Sequence, residues 1–128
     1  KYHHPGADFA APRGTTVMAT ADGRVSAINK TALEAGYGNY IEIDHGNGYV
    51  TRYAHLEDVQ VRSGQRITKG TTIGTIGTSG GSVAPHLHYE VMKDGNNVDP
   101  IIFMIENITA AQYRILTDQS KKINQSLD

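Results

Sequence analysis

Six histidines and no cysteine set the chemistry open to this chain. Any metal site has to use imidazole and carboxylate donors, and no thiol nucleophile is available. Two of the histidines, His86 and His88, stand one residue apart in "PHLHYE". On a β-strand, side chains at i and i+2 leave the same face, so His86, His88 and Glu90 point one way while Leu87, Tyr89 and Val91 point the other. Such a strand offers an apolar face to a core and a second face to chemistry. A second group lies in "HHPGADF", where His4 and Asp8 are four residues apart and Pro5 and Gly6 favour an extended or irregular path. His4, Asp8 and one histidine of the pair could supply the three protein ligands of a catalytic zinc ion, with water in the fourth position. A single carboxylate would leave the site net positive, able to polarise a carbonyl and acidify a water. Residue spacing leaves open which of His86 and His88 takes the metal. The other one, together with His55 in "TRYAHLE", gives two imidazoles to spare. Amide hydrolysis needs a base for the water and a donor for the developing oxyanion, and such a pair can provide both.

The remaining candidates are weaker. His3 adjoins His4 but faces away from it in an extended segment, and reads as a bystander. His45 falls in "DHGNG", where Asp, Gly and Asn are ordinary turn chemistry, so a structural role is expected. Glu90 shares the chemical face of its strand and could hydrogen-bond a histidine ring behind a metal. The loops "NKTALEAGYGN" and "TSGGSVAP" are small, polar and glycine-rich, suited to form groove walls, with Tyr37 and Ser79 as candidate substrate contacts.

The elements that must position these residues read as short strands broken by turns. "GTTVMATADGRVSAI" predicts a hairpin about Asp22-Gly23, "NYIEIDHGNGYVTRYAHL" a second with its turn at residues 45–48, and "HLHYEVMKDGNNVDP" a third about Asp94-Gly95. Gly14-Thr15-Thr16-Val17 echoes Gly70-Thr71-Thr72-Ile73, each opening a strand. Beyond the β portion, "ITAAQYRILTDQSKKI" has Thr109 three residues before Gln112, a capping-box spacing, and predicts one helix over residues 110–122 before a polar tail. The fold class is therefore mainly antiparallel β with one C-terminal helix. Residues 1–104 form the β domain, and 105–128 the helix and tail packed on it or extending from it.

Composition removes several function classes. With 12 Lys and Arg against 13 Asp and Glu, the chain lacks the basic footprint of a nucleic-acid partner. No apolar run reaches the roughly twenty residues of a membrane helix. The opening "KYHHPG" carries no basic-then-apolar signal segment, so an export signal is expected to lie outside these residues.

Four ordered blocks, "HPGADFAAPRG" (residues 4–14), "YAHL" (53–56), "VRSGQRITKGTTIG" (61–74) and "GGSVAPHLHYE" (80–90), resemble the lysostaphin-type, or LytM-type, zinc endopeptidases of peptidase family M23. The resemblance covers residues 4–100. It implies an antiparallel β domain of the duplicated-hybrid-motif kind with a long groove, a zinc ion on its floor, and hydrolysis of peptide cross-links or stem peptides of bacterial peptidoglycan in the envelope, periplasmic or extracellular. It also implies His4, Asp8 and His88 as the zinc ligands and His55 and His86 as the non-ligand catalytic histidines, without saying which is base and which is oxyanion donor. The bond cut, a D-alanyl to diaminopimelate link or a glycine bridge, stays open, with stem or cross-link peptides in envelope remodelling preferred. Two other functions compete. A catalytically silent or conditionally active regulator that binds the cell wall is one, although all five key positions are filled. A lipoyl-carrier-like domain is the other, suggested by "VRSGQRITKGTTIG", but it needs a lysine at a hairpin tip, where this chain has Asp22-Gly23, "DHGNG" and Asp94-Gly95.

Overall fold

The computed structural model describes residues 6–30, 36–80 and 84–107, and the backbone of 123–125. His3, His4 and the helix expected over 110–122 lie outside the described residues. Within them the chain forms β1 (Ala7–Ala10), β2 (Thr16–Met18), β3 (Gly23–Asn29), β4 (Tyr40–Gly46), β5 (Tyr49–Ala54), β6 (Leu56–Val59), β7 (Arg66–Ile67), β8 (Thr72–Ile76), β9 (His86–Lys93), β10 (Asn96–Val98), α1 (Pro100–Asn107) and β11 (Ile123–Gln125). These make an eight-stranded sheet in the order β11-β1-β9-β5-β4-β3-β7, with β10 also beside β9, and a three-stranded sheet in the order β2-β8-β6. Every described pairing is antiparallel. The mainly antiparallel β class expected from the sequence is the one found.

Two of the three predicted hairpins form. β4 and β5 turn at Asn47-Gly48, and β9 and β10 at Asp94-Gly95; all four residues have positive φ, as a two-residue type I′ turn requires. The β4–β5 turn is tighter than residues 45–48, because β4 runs on to Gly46. The hairpin about Asp22-Gly23 does not form: β2 and β3 belong to different sheets. Neither residue is among those with positive φ. Asp22 Oδ1 instead accepts from the backbone N–H of Lys69 at 2.7 Å, and Gly23 opens β3 beside Asp44, where a Cβ would lie 2.5 Å from a backbone oxygen. Local turn chemistry there gave way to a tertiary contact.

The Gly-Thr-Thr echo has a structural counterpart. Its two copies open β2 and β8, which pair with each other, β8 being the central strand of the small sheet. The Gly14 N–H donates to Ile76 O as the Gly70 N–H donates to Ala19 O, both at 2.8 Å. Ile76 N to Thr15 O at 2.8 Å is matched by Ala19 N to Thr71 O at 2.9 Å. The repeated residues thus sit in a local two-fold arrangement that joins the two strands at both ends.

One apolar cluster joins the two sheets: Val17, Leu56 and Ile73 from the small sheet meet Ile41, Ile43, Tyr53, Leu87, Tyr89 and Val91 from the large one. Removing such side chains from water supplies the main driving force, about 1.5–3 kcal/mol for each fully buried large aliphatic residue. Helix α1 runs across residue 104, the expected end of the β unit, and packs Phe103 and Met104 inward. The sequence reading had no helix at this position. At the other edge, backbone from the expected polar tail forms β11 and pairs with β1 through Ala7↔Gln125 and Phe9↔Ile123.

Candidate active site

The site is built on the pairing of β9 with its neighbours. Asp8 on β1 lies directly across from His88, and Ala54, at the end of β5, lies across from His88 on the other side. The i, i+2 rule holds. His88 and Glu90 bond each other on one face of β9, while Tyr89 packs on Phe9 and Tyr53, at ring centroid distances of 6.3 and 5.4 Å, on the other. Asp8, His86 and His88 are thereby brought together: His88 Nδ1 lies 3.0 Å and His86 Nε2 3.6 Å from Asp8 Oδ1.

His88 is buried, and both its nitrogens face carboxylates, Asp8 through Nδ1 and Glu90 Oε2 through Nε2 at 2.8 Å. Burial lowers its pKa, but hydrogen bonds to Asp8 and Glu90 outweigh burial and push it up to about 9. The pocket around Nδ1 is thus built to hold positive charge, a proton or a metal ion. A tetrahedral zinc with bonds of about 2.1 Å holds neighbouring donors roughly 3.4 Å apart, so the Asp8–His88 pair has close to the right separation. Glu90 on the far nitrogen is the usual carboxylate partner of a ligating imidazole. Among the described residues no three His, Cys, Asp or Glu side chains form a group that could hold a metal. Asp8 and His88 are two of the expected three ligands, and His4 lies outside the described residues.

His55 occupies the single residue between β5 and β6, where the chain leaves the large sheet for the small one. Its φ of 63° is the left-handed conformation, costly for a non-glycine residue by about 1–3 kcal/mol. Backbone bonds on both sides hold it there, from its N–H to Tyr37 O at 2.9 Å and from Gly77 N–H to its own carbonyl at 3.0 Å. This kink brings the His55 ring to 4.8 Å from His86 and 6.0 Å from His88, measured between centroids. The Nδ1 of His55 meets Ser79 O at 2.7 Å, and that of His86 meets Ala84 O at 2.9 Å. A carbonyl only accepts, so each Nδ1 carries the proton and Nε2 is the basic nitrogen of the neutral ring.

The two candidate substrate contacts are engaged within the protein. Ser79 Oγ accepts from Asn39 N–H at 3.0 Å and donates to Leu56 O at 2.8 Å, so with its carbonyl on His55 the residue ties both loops to the kink at His55. Gly38 permits this closeness, since a Cβ there would lie 2.3 Å from Gly80 N. Tyr37 donates to Glu90 Oε2 at 2.8 Å and stacks on the His88 ring at 5.7 Å.

Arg52 and Glu42 escaped the sequence reading. Arg52 Nη1 donates to Glu90 Oε1 at 2.6 Å, and its Nε and Nη2 both donate to Glu42 Oε2, at 2.8 and 2.7 Å. A cation at the middle of the otherwise uncharged strand "YVTRYA" was the available signal, because a mid-strand charge needs a partner. Naming that partner required the register Glu42↔Arg52↔Glu90. A hollow of about 820 Å³ is lined by Lys30, Val59, Gln60, Val61, Arg62, Ser63, Gly64 and Gln65. Its ionisable groups are two cations, Lys30 and Arg62, with no base or metal ligand among them.

This fold is shared with known peptidases. The pattern of peptidase family M23 matches residues 2–100, and the chain belongs to that family. It is 37% identical over 119 residues to the peptidoglycan DD-endopeptidase ShyC of Vibrio cholerae serotype O1, covering 93% of this chain and 26% of that protein. Among solved structures, a zinc-containing peptidase from Vibrio cholerae matches with a TM-score of 0.70 at 41% identity, covering 77% of this chain and 29% of that one. The catalytic domain of the antimicrobial peptidase lysostaphin from Staphylococcus simulans matches at 0.70 and 31%, covering 80% and 79%. The chain spans under a third of the length of the first curated relatives it matches.

Proposed function

We propose that this chain carries a zinc-dependent endopeptidase that hydrolyses cross-link or stem peptides of bacterial peptidoglycan, acting in the periplasm or outside the cell. His88 bracketed by Asp8 and Glu90 is the observation that carries this reading. His4, Asp8 and His88 would hold the zinc, which when bound supplies a Lewis acid and an acidified water. Glu90 holds the far nitrogen of His88 and so keeps Nδ1 turned toward Asp8. His55 and His86, their Nδ1 atoms occupied by carbonyls, present Nε2 for proton work at one locus. One takes the proton of the attacking water, and the other, protonated, steadies the oxyanion. The left-handed kink at His55 and the start of β9 at His86 fix the two rings independently. Tyr37 and Ser79 line the approach while supporting Glu90 and His55. Residues 1–104 are the catalytic unit, and 105–128 add β11 to its edge. Among the described residues no helix is long and apolar enough to cross a membrane, which leaves β-barrels unaddressed.

The test is digestion of purified peptidoglycan of two cross-link chemistries, directly linked and glycine-bridged, with products read by mass spectrometry. Release of cross-link peptides that stops with chelator and in His86→Ala supports the proposal. Intact peptidoglycan with zinc bound would favour a wall-binding regulator instead.

A further inference from the structure

Glu90 is a buried carboxylate shared by three donors. Oε2 accepts from His88 Nε2–H and from the Tyr37 hydroxyl, both at 2.8 Å, and Oε1 accepts from Arg52 Nη1 at 2.6 Å. The His88 and Tyr37 bonds meet on one oxygen, so together they leave the carboxylate able to swing about that atom. The Arg52 bond on the other oxygen removes this freedom. Arg52 is itself fixed. Two of its nitrogens fork onto Glu42 Oε2, and its guanidinium carbon lies 4.6 Å from the centre of the Tyr37 ring and 5.8 Å from that of Tyr40. Side-chain exposure falls from 20% and 19% at Glu42 and Arg52 to 5% at Glu90 and 2% at His88, so the row runs inward across three neighbouring strands. A surface ion pair would contribute about 0–1 kcal/mol and fix little. A forked arginine between two carboxylates has one geometry.

Resting on the zinc-peptidase reading above, we propose that Arg52, anchored by Glu42, is a positioning residue for the metal centre. It orients Glu90, and Glu90 in turn holds the His88 ring so that Nδ1 shares its target with Asp8. Charge alone does not suffice for this role, because a lysine ammonium is a single point that cannot fork onto Glu42 and reach Glu90 Oε1 together.

The test measures zinc affinity of the full chain by competition with a chromophoric chelator, for wild type, Arg52→Lys and Arg52→Met, with thermal unfolding of each zinc-free protein as the folding control. Arg52→Lys is the decisive variant, since it keeps the positive charge and the fold where Arg52→Met leaves a buried Glu90 uncompensated. Zinc binding weakened about tenfold or more in a folded Arg52→Lys, in the range that loss of a group behind a metal ligand produces, is the expected result. Affinity within about twofold of wild type in a folded Arg52→Lys would overturn the positioning role and leave the zinc site standing. Absence of zinc binding by the wild type would instead overturn the reading on which the inference rests.

Discussion

His88 and His45 are each hydrogen-bonded through both ring nitrogens, and their surroundings ask opposite things of them. His88 lies between two carboxylates, Asp8 and Glu90, and its pKa is pushed up to about 9. His45 lies between the carbonyl of Asp22, 2.7 Å from Nδ1, and the Thr51 hydroxyl, 2.8 Å from Nε2, and burial pushes its pKa down. Equal numbers of hydrogen bonds thus produce a ring that gathers positive charge and a ring that stays neutral, decided by the charge of the acceptors rather than by their count.

The neutral ring also organises the core. Its Nδ1–H donates to Asp22 O, so Nε2 accepts from Thr51. Thr51 Oγ1 also lies 2.9 Å from the Tyr53 hydroxyl. Thr20 bonds Tyr53 at 3.1 Å through both its N–H and its hydroxyl, and Tyr89 completes the chain on Thr20 Oγ1 at 2.8 Å. The same strands therefore carry a charge-holding row on one face and a neutral relay between the sheets on the other.

Replacing each histidine separates the two roles most sharply. His88→Gln is expected to abolish zinc binding and to lower peptidoglycan hydrolysis by at least about a thousandfold, as the loss of several kcal/mol of Lewis-acid stabilisation implies. His45→Gln is expected to leave zinc content and hydrolysis at wild-type levels, both read by metal analysis and product release. Next in size, His86→Ala is expected to cost about 10²- to 10⁴-fold in rate with zinc fully retained, the signature of a proton-handling residue that is not a ligand. On the neutral side, Thr20→Val deprives Tyr53 and Tyr89 of their shared partner. It is expected to destabilise by about 1–3 kcal/mol, measured by urea unfolding of the zinc-loaded protein.

The smallest effect is the dependence on pH. The unfolded chain protonates His45 near the ordinary value of about 6.5, whereas the native ring takes its proton only at lower pH. Between those two values the unfolded state binds more protons, so this contribution to stability is complete above about 6.5 and is lost as pH falls toward the native value. Its slope is at most about 1.4 kcal/mol per pH unit. Burial sets the direction against the pull of Asp44 and Asp22, and Lys69 and Glu106 line the same hollow. The stability difference between wild type and His45→Gln should therefore shrink on acidification below about 6.5. A difference that stays constant would mean that His45 is not held neutral.

Much of the charged face was legible in the sequence because strand parity is local: "HLHYE" alone places His88 and Glu90 together. His55 could be singled out, but its left-handed kink could not, since it follows from the chain changing sheets. Arg52 and Glu42 depend on register across β4, β5 and β9, which no single strand contains. The neutral relay was invisible for the same reason, as Thr20, Thr51, Tyr53 and Tyr89 come from two strands and a loop. The failed Asp22-Gly23 hairpin makes the point in reverse: a strong local turn signal yielded to the bond between Asp22 and Lys69. Helix α1 was missed because "PIIFMIEN" is too short a run for apolar periodicity to separate helix from strand.

The most direct measurement is a crystal structure of the zinc-loaded protein, with the ion located by anomalous scattering. The account requires the ion about 2.0–2.1 Å from His88 Nδ1 and about 2.0–2.2 Å from Asp8, with Glu90 still on Nε2. An ion bound by His86 in place of His88, or by the Nε2 of His88 with Glu90 displaced, would contradict it.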